Sequence, residues 1–146
     1  MRIYKANKIG PAVYLLAGYF MFLVFLYAND PNHFFQKTHW FYPFALPVFL
    51  NVWALFYTYY KIEGNKLFYR SGYIHGEIDI SCIKEIVKGK TRWIGFKPAL
   101  ATNGIIIKYN RYDDVYIAAK NNDALIADLQ KLNANITLVE EKKIAN

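Results

Sequence analysis

Two long runs without a charged residue fill most of the first sixty positions: IGPAVYLLAGYFMFLVFLYA at 9–28 and WFYPFALPVFLNVWALFYTYY at 40–60. A helix of about twenty residues spans roughly 30 Å, the thickness of a bilayer's hydrocarbon core, so each run predicts a membrane helix. Asp30-Pro31 ends the first run, and no small-x-small cleavage pattern follows it, which argues against a signal peptide. Pro43 and Pro47 predict a kink in the second run, tolerated where neighbouring groups take up the freed carbonyls. Asn51 lies mid-span and is a candidate helix–helix contact, because an amide in lipid needs a hydrogen-bond partner. Trp40, Tyr42, Tyr57, Tyr59 and Tyr60 stand near the ends, as interfacial aromatics do. The connection NDPNHFFQKTH is short, so residues 1–60 are expected to form an antiparallel transmembrane hairpin.

Beyond residue 60 the pattern changes to short alternations. In YKIEGNKLFYRSG a Gly64-Asn65 loop places Glu63 opposite Lys66, Ile62 opposite Leu67 and Tyr60 opposite Tyr69. One face is apolar and the other mixed, as in a hairpin covering a core on one side. Ile78 and Ile80 alternate with acids in EIDI. Ile83 and Ile86, three apart, predict a short helical turn leading into a strand at 85–88. GIIIKYN (104–110) and VYIAA (115–119) are strands, with Asp113-Asp114 in the turn between them. Asn121 or Asn122 caps a helix carrying Leu125, Leu129 and Leu132 at helical spacing. Residues 138–146 read as a charged, frayed tail. The expected order is two membrane helices, six or seven short antiparallel strands at 61–137, and one closing helix. That is a membrane-anchored α+β chain whose strands curl into a small β-barrel with the helix in its open end.

Composition sharpens the division. Hydrophobic residues make up 55% and aromatics 18%, too apolar for a small soluble domain and concentrated before residue 60. The net charge of +7 is spread along the chain, without the dense patch that nucleic-acid binding needs. Arg2, Lys5 and Lys8 precede the first helix and Lys61 and Lys66 follow the second, whereas the loop holds Lys37 against Asp30. The positive-inside rule then puts both termini in the cytoplasm, in agreement with a single cysteine, Cys82.

Candidate chemistry is sparse. His33 and His39 lie between the helices and His75 lies beyond them, so the three cannot share a metal, and the first two lack a third ligand. Cys82 reads as a packing group rather than a nucleophile. No phosphate-binding glycine loop and no nucleophile elbow occurs. These features point away from an enzyme and from a cofactor. A stretch free of acids, between Glu85 and Asp113, is more suggestive. There Lys88, Lys90, Arg92, Trp93 and Lys97 are the candidate contacts for an anionic membrane surface, worth about 1 kcal/mol per basic residue close to the leaflet.

The segments YKIEGNKLFYRSGYIHGEIDISCIKEI and PALATNGIIIKYNRYDDVYIAAKNNDALIADLQKLNANI resemble the short bacterial PH domains of the YyaB-like family, which often follow two membrane helices. Ala101 and Ala119 depart from the serine and proline usual there. The resemblance implies a PH-like fold in a bacterial inner-membrane setting, and no activity. The expected function is a non-catalytic binding module at the inner-membrane surface. Its expected partners are the bilayer with its anionic headgroups or a membrane protein, and not nucleic acid. The competing reading is a structural subunit of a larger membrane complex, with the kinked second helix and Asn51 as its contact.

Overall fold

The expected hairpin forms in the expected register. In the computed structural model, which describes residues 1–31, 36, 39, 42–89 and 98–140, Glu63 pairs with Lys66, Ile62 with Leu67, Lys61 with Phe68 and Tyr60 with Tyr69. Gly64 takes a positive φ of 57° in the loop, a conformation open to glycine. In chain order the elements are β1 (Arg2–Lys5), α1 (Pro11–Asn29), α2 (Tyr42–Phe56), β2 (Thr58–Glu63), β3 (Lys66–Ser71) and β4 (Ile74–Asp79). A 3-10 turn (Ile80–Cys82) leads to β5 (Ile83–Lys88), β6 (Ile105–Tyr109), β7 (Asp113–Ile117), α3 (Asn122–Leu132) and β8 (Thr137–Glu140).

The strands make two four-stranded sheets, ordered β1-β2-β3-β4 and β7-β6-β5-β8. The expected closed barrel is therefore corrected: among the described residues an isolated bridge, Ala6 to Ala119, is the only pairing between the sheets. One apolar cluster fills the space between them. Tyr60, Ile62, Leu67, Tyr69 and Ile78 come from the first sheet, and Ile86, Ile105, Ile107, Val115 and Ile117 from the second. Each such aliphatic side chain contributes roughly 1.5–3 kcal/mol on burial. Helix α3 adds Leu125, Ile126 and Leu129; Leu132, expected in that stripe, is half exposed. The Asn121 carboxamide caps α3 by accepting from the Ala124 N–H.

Five more expectations need correction. The second apolar helix ends at Phe56 rather than 60, and Tyr60 is a core residue of β2 rather than an interfacial aromatic. Ile83 and Ile86 face the same core because a bulge between Ile83 and Glu85 resets the strand alternation; the helical turn precedes them. Asp113 and Asp114 begin β7, and the positive φ of Asn110, 52°, makes the turn. The tail expected at 138–146 starts inside a strand, since Thr137–Glu140 is β8, parallel to β5.

A second strand absent from the sequence reading is β1. It pairs antiparallel with β2, Lys5 opposite Tyr59 and Arg2 opposite Ile62. Topologically the whole segment holding α1 and α2 is the loop of a β-hairpin. Helix α1 has 19 residues, an 18-residue window with a mean hydropathy of 1.9 and no buried residue. It is the one helix among the described residues long and apolar enough to cross a membrane; the apolar part of α2, Ala45–Phe56, is shorter.

Candidate membrane-facing site

Only Tyr57 separates α2 from β2, and the junction is locked on three sides. The Thr58 hydroxyl donates to the Ala54 carbonyl and shares a 3.1 Å hydrogen bond with Ser71 Oγ; both Thr58 and Ser71 are buried. The Gly72 N–H donates to the Tyr57 carbonyl at 3.1 Å. Gly72 has φ 59°, and a Cβ there would stand 3.2 Å from Ala54 Cα, so the β3–β4 turn lies directly on the end of α2.

The other helix enters at the same end. Asn7 N–H donates to the Ala118 carbonyl at 2.8 Å, and Lys120 N–H donates to the Lys5 carbonyl at 2.9 Å. A Cβ on Gly10 would stand 2.2 Å from the Leu100 carbonyl oxygen. The Lys8 ammonium sits 5.8 Å from the Phe56 ring centre. Two buried tyrosines hold the 98–104 segment against these junctions. Tyr60 donates to the Pro98 carbonyl and accepts from the Ala118 N–H, both at 3.1 Å. Tyr116 accepts from the Gly104 N–H at 2.7 Å and donates to the Ala101 carbonyl at 3.3 Å. Burial pushes the Tyr60 phenol upward from its ordinary pKa.

Of the five residues singled out from the sequence as contacts for an anionic surface, Lys88 alone lies among the described residues. Lys90, Arg92, Trp93 and Lys97 lie outside the described residues, as do His33, Lys37 and Trp40. Lys88 is engaged: its ammonium lies 2.6 Å from Asp123 and 3.4 Å from Glu140, and the Asp123 contact leads in raising its pKa. Asn51 donates to the Pro47 carbonyl of its own helix at 3.3 Å. Cys82, expected to pack inside, is exposed, because Ile80 and Ile83 on either side take the core positions. His75 lies on β4 and His39 against the Gln36 carbonyl. Among the described residues no group of three or more His, Cys, Asp or Glu side chains is gathered to hold a metal ion.

Sequence reasoning missed the outer face of the first sheet. Strand register sets Lys5, Tyr59, Arg70 and His75 in one row across β1 to β4, all exposed, with Lys5 on the strand before α1 and Tyr59 on the strand after α2. A groove of about 590 Å³ runs beside this row, lined by Tyr59, Phe68, Tyr69, Arg70, His75, Gly76 and Glu77.

Two four-stranded sheets and a helix share one apolar core, and that arrangement is the frame on which these side chains are set. The family model for the bacterial PH domain matches residues 58–133, just over half of the chain, and the chain belongs to that family. PH domains are generally non-catalytic modules that bind lipids or proteins. No curated protein and no solved structure matches the chain.

Proposed function

We propose that this chain is an integral protein of the bacterial inner membrane, in which α1 and α2 form a re-entering hairpin and the PH domain is a non-catalytic binding module held at the cytoplasmic surface. The observation that carries the reading is the pairing of β1 with β2. The two strands adjoin in one sheet, so the apolar segment between them leaves and returns on the same side, which requires an even number of crossings. The unburied apolar surface of α1 supports a lipid environment, since water would not tolerate it. At about 1.5 Å per residue α2 is roughly 22 Å long, shorter than the hydrocarbon core that α1 matches. The narrower grouping with YyaB-like short PH domains belongs to this reading and rests on the order of the elements. So does the division into a helical hairpin and a domain.

Cys82 is the chain's single cysteine and is exposed, so it reports sidedness directly. In intact spheroplasts a membrane-impermeant maleimide should leave Cys82 unlabelled until lysis. A Pro31→Cys, Cys82→Ser variant should label without lysis. Labelling of both positions from the same side would overturn the hairpin.

A further inference from the structure

We propose that the row Lys5, Tyr59, Arg70 and His75 is a contact site for the phosphate of an anionic phospholipid in the leaflet from which α2 emerges. The proposal rests on the membrane-anchored reading above and names the ligand that the module meets first.

Position is the first argument. Tyr59 is three residues past the end of α2, at most roughly 10 Å of extended chain. The headgroup layer on each side of the hydrocarbon core is roughly 5–8 Å thick. The row crosses all four strands at one level, so its four members share that depth. Charge is the second argument. In the rows farther from α2 the cations are already taken: Lys61 lies 2.6 Å from Glu63, and Lys66 lies 2.6 Å from Glu77. In the row itself, no ion pair among the described residues involves Lys5 or Arg70. Arg70 Nε donates to the Gly72 carbonyl at 3.3 Å, which fixes the guanidinium at the groove while its terminal nitrogens stay available. Glu77, the carboxylate lining that groove, is neutralised by Lys66.

Chemistry is the third argument. A guanidinium presents two parallel N–H donors that match two phosphate oxygens. A tyrosine with an apolar body and a polar tip suits the boundary between headgroups and acyl chains. Lys8, beside Phe56, and Lys120, bonded through its backbone to Lys5, add positive charge at the same end. An anionic leaflet is the surface that complements this edge.

The test uses the full chain in phosphatidylcholine nanodiscs with a rising fraction of phosphatidylglycerol, read through 3-fluorotyrosine incorporated at position 59. The fluorine resonance should shift saturably with phosphatidylglycerol. Arg70→Gln should raise the midpoint about fivefold, the equivalent of one basic residue at the surface. Arg70→Lys should fall between the two, and Lys84→Gln, on the other sheet, should match the wild type. A midpoint unmoved by Arg70→Gln, or no shift in a protein that stays inserted, would overturn this site alone. A shift produced by inorganic phosphate in pure phosphatidylcholine would replace the lipid with a free anion as occupant. A chain that does not remain in the nanodisc would overturn the membrane reading instead.

Discussion

Tyr60 concentrates several demands on one side chain. Its ring lies in the core between the sheets, and its hydroxyl is the single polar group joining Pro98, at the start of the 98–104 segment, to Ala118, at the end of β7. Burying a phenol is tolerable only when its O–H is satisfied, and here it both donates and accepts. Tyr60→Phe keeps the packing and leaves the Ala118 N–H and the Pro98 carbonyl without their partner. A buried group stripped of its hydrogen bond costs about 1–3 kcal/mol. Thermal unfolding in detergent should therefore show a clear loss of stability for Tyr60→Phe. A variant as stable as the wild type would mean that the two backbone groups find other partners. The sequence placed Tyr60 both on the apolar face of the hairpin, opposite Tyr69, and among the interfacial aromatics, because continued apolar composition across residues 57–60 makes the end of a membrane helix look the same as the start of a buried strand.

Between elements, the contact of β1 with α3 carries a pH dependence. The Asp128 carboxylate accepts from the Tyr4 hydroxyl and from Arg2, and Lys131 stands 3.4 Å away. These bonds, Tyr4 first, pull its pKa down to about 2, while burial chiefly, and then Asp128, push the Tyr4 phenol up to about 12. A carboxylate whose folded pKa lies below its unfolded value of about 3.9 adds stability above that value and loses it as pH falls toward 2. Across pH 5–8 this pair should leave the melting temperature flat, with a decline setting in below about pH 4. Asp128→Asn should be less stable at pH 7 and should show a shallower acid decline; an unchanged acid slope would assign the decline to other carboxylates. Strands β2 to β4 and β6, and the cap of α3, were legible because alternation, a Gly-Asn loop and an Asn cap are local signals. β1 was not. RIYK is four residues long and rich in charge, so it read as the flank of a membrane helix, and its partner β2 lies more than fifty residues away. The closed barrel failed for a related reason: local pattern yields strands, while which edges meet is decided by long-range packing.

At the scale of the molecule, the first sheet is interrupted by the apolar segment that holds α1 and α2. β1 is made first and has to wait for α1 and α2 before β2 arrives to pair with it, a pairing that loop-closure entropy makes slow. Once paired, Lys5 and Tyr59 are neighbours at the end of the sheet where the helical segment leaves and returns, so that segment can be replaced by a turn of a few residues. Two chains test whether the sheet or the anchor holds β1 in place. Residues 58–140 alone lack β1, leaving Asp128 without Arg2 and Tyr4, and leaving the Ala118 carbonyl without the Asn7 N–H. Residues 2–7 joined to residue 58 by a Gly/Ser linker of about four residues restore all of these contacts without any membrane helix. The linked chain should be monomeric and show a sharp urea transition, while 58–140 should unfold at a lower midpoint, by more than 1 kcal/mol on the basis of the buried hydrogen bonds lost. Equal midpoints would make β1 an adornment of the helical segment rather than a strand of the domain. They would also remove the topological ground for an even number of crossings, since that argument depends on β1 and β2 belonging to one folded sheet.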